Sequence, residues 1–130
     1  MIYTIQNEFL TVRVEDLGAQ LSSIQAPDGT EYLWQGDPDI WGRRAPILFP
    51  FIARLRVNTY CLDGQPYAIS THGFARDMVF SLVEQGEDHI SLQLTDTPET
   101  WKVYPFSFSL TVTYTLEGNR LKKCHRVENR

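Results

Sequence analysis

An all-β fold, a sandwich or barrel of antiparallel strands, is predicted for this chain by three features: strict alternation, frequent turn residues, and the absence of a sustained helical period. The clearest alternation runs over Phe106–Leu116. There Phe106, Phe108, Leu110, Val112, Tyr114 and Leu116 interleave with Ser107, Ser109, Thr111, Thr113 and Thr115. A period of two sends the first set to a buried face and the hydroxyls to the other. Ile90–Leu94 and Leu10–Val14 repeat the pattern. Between the extended runs lie Pro27-Asp28-Gly29, Asp63-Gly64, Gln85-Gly86-Glu87 and Glu117-Gly118-Asn119, residues that tolerate the left-handed backbone of hairpin turns. Leu121–Glu128 reads as a strand pairing back on Phe106–Leu116. No apolar i, i+3, i+4, i+7 pattern lasts three turns without Gly or Pro.

With 130 residues the chain has the size of one domain, residues 1–130, large enough to bury a core. A formal net charge of −4 carries no basic stripe of the kind nucleic acid requires, so no nucleic-acid partner is expected. The longest apolar run, Ala45–Ala53, is cut by Pro46 and Pro50 and is too short to span a membrane. Met1–Ile5 shows neither a basic nor a long apolar leader region, so a soluble, cytoplasmic protein is expected. Cys61 and Cys124 stand far apart without CxxC spacing, which predicts two free thiols and no zinc site.

Two irregular segments carry the chemistry. Trp41–Leu55 gathers aromatics, Arg43, Arg44, Arg54 and two prolines, and Thr71–Asp77 holds His72-Gly73-Phe74-Ala75-Arg76-Asp77. Sugars are bound by aromatic faces on their C–H surfaces and by Arg or His donors at their hydroxyls. Gly73 would allow a sharp turn or a close backbone approach. Each residue also has a plainer structural reading. Arg54 could pair with Asp or Glu, and His72 could be a satisfied loop histidine. Arg76 and Asp77 could be a surface ion pair, and Trp34 and Trp41 packing residues. His89 and His125 lack metal-like spacing and read as structural.

The blocks Glu31–Pro38, Trp41, Ala45–Pro50, Arg54-Leu55 and His72–Asp77 resemble, in order and spacing, the N-terminal half of bacterial aldose 1-epimerase (galactose mutarotase-like) proteins. Tyr104–Phe108 and Val127-Glu128-Asn129 fit the same pattern. His-Gly-Phe-Ala-Arg is the most specific piece. The resemblance implies the N-terminal portion of a large antiparallel super-sandwich and a small-molecule aldose as partner, with no cofactor. It implies interconversion of α and β anomers, in which a general acid protonates the ring oxygen and a general base deprotonates the anomeric hydroxyl. Arg54 matches the substrate-binding arginine, His72 the histidine of the motif, and Arg76 belongs to the same block. All three are expected to bind substrate. The family's acid and base lie past the Val-x-Asn block and near the end of a longer chain, so no residue of 1–130 is assigned a catalytic role. Ala53 stands where the family often has Gly or Asn.

Two other readings compete with an isomerase: a catalytically inactive sugar-binding or assembly module, and a hexose-6-phosphate 1-epimerase whose phosphate would meet Arg43, Arg44 and Arg76. A homo-oligomer is also expected. Phe106–Leu116 carries large apolar side chains and no edge-protecting Lys, so it or Leu121–Glu128 would form the contact.

Overall fold

The alternating segments become strands in the computed structural model, which describes all of residues 1–130. Nine strands and one short helix follow in order. They are β1 (Ile2–Gln6), β2 (Thr11–Glu15), β3 (Leu21–Gln25), β4 (Thr59–Leu62), β5 (Gln65–Ala68), β6 (Ser81–Gln85), β7 (His89–Thr95), α1 (Pro98–Val103), β8 (Phe108–Glu117) and β9 (Arg120–Asn129). Every strand pairing is antiparallel, in three sheets ordered β1-β2-β3, β4-β5 and β6-β7-β8-β9. The turns fall as their chemistry dictates. Asp63 and Gly64 both take positive φ between β4 and β5, and Gly118 does so between β8 and β9. Pro27–Gly29 also turns the chain, but only an isolated bridge from Gln25 to Glu31 follows it.

One core joins the larger sheets. Ile5, Val12, Val14 and Leu21 of the three-stranded sheet cluster with Ile90, Leu92 and Leu94 of β7 and Phe108, Leu110, Val112, Tyr114 and Leu116 of β8. Burying each such side chain is worth about 1.5–3 kcal/mol. The Tyr114 hydroxyl donates to the Ala19 carbonyl at 2.7 Å, and burial pushes its pKa up. Glu31 is tied to the β3 backbone. Burial alone would raise its pKa, but hydrogen bonds from Ser23, Ile24 and Leu33 outweigh that and leave it below the ordinary value.

Two expectations are corrected. Phe106 lies ahead of β8 and is partly exposed, because the strand begins only where the Asp96 carboxylate accepts the Phe108 amide at 3.1 Å. The apolar face of Phe106–Leu116 is not open: β8 is an inner strand between β7 and β9, and the β1–β3 sheet covers it. The edges of the larger sheet are β6 and β9 instead. The all-β reading holds, with α1 the one short α-helix among the strands. At six residues it is too short to show a helical period, yet Thr97 and Thr100 form a reciprocal capping box ahead of Pro98. No helix is long and apolar enough to cross a membrane.

Candidate functional site

The two irregular segments singled out in the sequence lie side by side. The Phe49 carbonyl accepts amides from Phe74 at 3.0 Å and Ala75 at 3.3 Å, and Phe49 and Gly73 form a parallel bridge. The Phe49 ring meets Phe74 and Tyr104 edge-on, each at 6.1 Å between centroids, and Phe108 at 5.1 Å. This aromatic cluster fastens both segments to the start of β8. Gly73 is required at the crossing. Its φ is +73°, and a Cβ there would collide with the Phe49 carbonyl oxygen.

His72 is held by two bonds to one residue. Its amide donates to the Ala53 carbonyl, and its Nδ1 accepts the Ala53 amide, both at 2.8 Å. Because Nδ1 is an acceptor, the neutral ring carries its proton on Nε2. The imidazole thus presents a fixed N–H donor that no protein atom uses. The arrangement requires unusual backbone at both ends: φ is +63° at His72 and +75° at Ala53. Left-handed φ is adopted most easily by Gly or Asn, which explains why those residues suit position 53.

Arg54 follows directly. It is exposed and makes no ion pair or hydrogen bond, so the reading in which it merely pairs with Asp or Glu fails. Arg76 is different. Its Nη2 donates to the Thr71 carbonyl at 3.2 Å, and its Nε is buried without a hydrogen bond, 3.9 Å from the Asp77 carboxylate. It braces the His72 loop from within. The other two arginines of the Trp41–Leu55 segment are engaged: Arg43 with Asp77 at 3.1 Å, and Arg44 with Glu15 at 3.7 Å and the Ser22 carbonyl at 3.3 Å. Trp34 and Trp41 form a half-exposed loop pair, the Trp34 indole donating to the Trp41 carbonyl at 2.8 Å.

Hollows flank the free donors. One of about 230 Å³ is walled by Pro50, Phe51, Leu55, Tyr60, Ile69 and Tyr104, next to Arg54 in the chain. Another, of about 250 Å³, has Gly73, Phe74 and Ser70 in its wall, next to His72. Neither is lined by the side chains of Arg54, His72 or Arg76 themselves. No group of three or more His, Cys, Asp or Glu side chains is arranged to hold a metal ion.

The strands are antiparallel throughout, and the unpaired Arg54 follows directly on the residue that anchors the His72-Gly73-Phe74-Ala75-Arg76 loop. The family model for aldose 1-epimerase matches residues 1–130, and the chain belongs to that family. Its relatives include the protein LacX of Lactococcus lactis subsp. lactis, 39% identical over 134 residues that cover 99% of this chain and 45% of LacX. Among solved structures, a galactose mutarotase related enzyme from Lactobacillus acidophilus superposes with a TM-score of 0.98 at 40% identity, covering 100% of this chain and 44% of its own. A galactose mutarotase-like protein from Lactobacillus casei ATCC 334 gives 0.96 at 35% identity, covering 99% of this chain and 44% of its own. The chain therefore spans about 45% of the length of the relatives it matches.

What sequence reasoning did not find is the partner of His72. The signal was available in the Ala at position 53, because a site preferring Gly or Asn points to left-handed backbone.

Proposed function

We propose that residues 1–130 supply sugar-binding donors of a mutarotase-type site that takes a free aldose. The observation that carries this reading is the reciprocal Ala53–His72 pair. It orients an unused Nε2–H donor and sets the uncommitted Arg54 guanidinium one residue away from its anchor. Arg54 can donate to two neighbouring hydroxyls at once, and the neutral imidazole can donate to a ring or hydroxyl oxygen. Both would stabilise negative charge developing on sugar oxygen as the ring opens to the aldehyde and recloses as the other anomer. Arg76 acts behind them by holding the loop. A sugar phosphate is favoured less, because Arg43, Arg44 and Arg76 already lie against Asp77 or Glu15. Two exposed free thiols, Cys61 and Cys124, suit a reducing cytoplasm.

This reading assigns the proton-transferring acid and base to no side chain of residues 1–130. Such groups contribute about 10²–10⁴-fold each, so mutarotation by the 130-residue chain is expected near the uncatalysed rate. Titrating galactose and glucose while following the His72 imidazole and Arg54 amide by NMR tests binding, and polarimetry on fresh α-glucose tests turnover. Shifts at both residues without faster mutarotation support the reading. Fast decay abolished by His72→Ala would place the acid or base here instead. Shifts only with a sugar phosphate would transfer the site to Arg43 and Arg44.

A further inference from the structure

The three arginines suited to a sugar phosphate are each set against a carboxylate, and one carboxylate serves two of them. Glu15 stands 3.7 Å from Arg44. Asp77 takes the other pair: its Oδ1 accepts Arg43 Nη2–H at 3.1 Å, and its Oδ2 lies 3.9 Å from Arg76 Nε. That Nε is buried and makes no hydrogen bond, so Asp77 answers its charge across a gap rather than by accepting its proton. Asp77 also lines, with Ser70, Gly73 and Phe74, the hollow of about 250 Å³ beside His72. Glu99, the other carboxylate of that hollow, is paired with Lys102 at 3.1 Å and with neither arginine. The backbone beneath Asp77 is clamped. Its amide donates to the Phe74 carbonyl at 3.0 Å, and the carbonyl of the next residue, Met78, accepts the Gly18 amide at 2.7 Å. Gly18, in the β2–β3 turn, packs so tightly here that a Cβ on it would lie 2.8 Å from the Arg76 carbonyl oxygen.

An ion pair as exposed as Arg43–Asp77 adds little stability. What it changes is what the arginines can hold. A guanidinium grips a phosphate through paired N–H donors. At Arg43 a carboxylate already uses one of them, and a dianion brought beside Asp77 also meets like charge. A neutral sugar hydroxyl meets no such repulsion, and Arg54, which has no carboxylate, is left to receive it.

Resting on the reading of a free-aldose site, we propose that Asp77 is its specificity-determining residue. By holding Arg43 and Arg76 it keeps the site for neutral aldoses and excludes sugar phosphates, and loss of its charge opens an anion site at the two guanidinium groups. The experiment titrates the unaltered chain, Asp77→Asn and Asp77→Glu with inorganic phosphate, glucose 6-phosphate and glucose. NMR follows the side-chain N–H groups of Arg43 and Arg76 and the His72 imidazole. In the unaltered chain glucose is expected to bind more tightly than glucose 6-phosphate. Asp77→Asn, nearly the same shape, should bind both phosphates about tenfold more tightly, with shifts at Arg43 and Arg76 that fade in high salt. Asp77→Glu restores the charge and should return both phosphates to weak binding, which a merely structural role of Asp77 would not do. Unchanged phosphate affinity in Asp77→Asn, or an equal gain in Asp77→Glu, would overturn the proposal. So would glucose 6-phosphate binding the unaltered chain as tightly as glucose, a result that needs no variant to fold. The inorganic phosphate series involves no sugar. It therefore decides the role of Asp77 separately from the free-aldose reading, which fails if glucose moves neither His72 nor Arg54.

Discussion

The β7–β8 pair and the Ala53–Gly73 stretch obey opposite rules. In β7–β8 each side chain follows from a period of two, seven residue pairs run in unbroken register from His89–Thr115 to Thr95–Ser109, and Ile90, Leu92, Val112 and Tyr114 are fully buried. From Ala53 to Gly73 the backbone repeatedly enters left-handed space, at Ala53, Val57, Asn58, Asp63 and His72 as well as at glycines. The first region is stable because ordinary conformations bury apolar area. The second persists only because long-range bonds, Ala53 to His72 and Phe49 to Phe74, hold it in costly ones. The donors proposed to bind sugar collect in the second, where unusual backbone aims groups that regular elements would have spent on their own ladders.

The comparison breaks first at the core. Leu92→Ala removes a fully buried side chain from β7 and is expected to cost about 2–5 kcal/mol in denaturant unfolding while leaving the His72 environment intact in the folded fraction. Gly73→Ala comes next. A side chain in left-handed backbone costs about 1–3 kcal/mol, and the overlap with the Phe49 carbonyl adds to it. Unlike the core variant, it should also displace His72, visible as loss of the Ala53 amide's protection from hydrogen exchange. If both variants lost stability but only Leu92→Ala disturbed His72, the distinction between the regions would fail.

Ala53→Gly sharpens the contrast by working in the other direction. Relief of about 1–2 kcal/mol of left-handed cost, offset by greater freedom in the unfolded chain, should leave a net gain of about 0.5 kcal/mol. A loss of stability would mean that the Ala53 methyl packs usefully. The smallest effect concerns the β6–β7 turn, where His89 contacts Asp88 at 3.1 Å and Glu84 at 3.2 Å. These bonds, Asp88 first, raise its pKa. A group raised in the folded state contributes fully below its unfolded pKa of about 6.5 and loses that contribution as pH rises through the folded value. The melting temperature of the unaltered chain should therefore fall relative to His89→Gln across that window. The site is exposed, so the shift is small.

Much of this molecule was legible residue by residue. The alternation of Phe108–Leu116, the Asp63-Gly64 and Glu117–Asn119 turns and the pairing of β9 with β8 follow from side-chain period and turn chemistry, both local. The ordered blocks through His72–Arg76 likewise carried the family, because residue identity and spacing survive without coordinates. Tertiary structure decided what local rules do not contain. Whether the apolar face of β8 lies open depends on which sheet lands on it, and the β1–β3 sheet, distant in sequence, covers it. Whether an arginine is free or spent depends on carboxylates elsewhere in the chain. Arg54 meets none, whereas Arg43 meets Asp77 and Arg44 meets Glu15. The proton of His72 sits on Nε2 for the same reason: the amide that fills Nδ1 belongs to Ala53, nineteen residues away in sequence and 2.8 Å away in space.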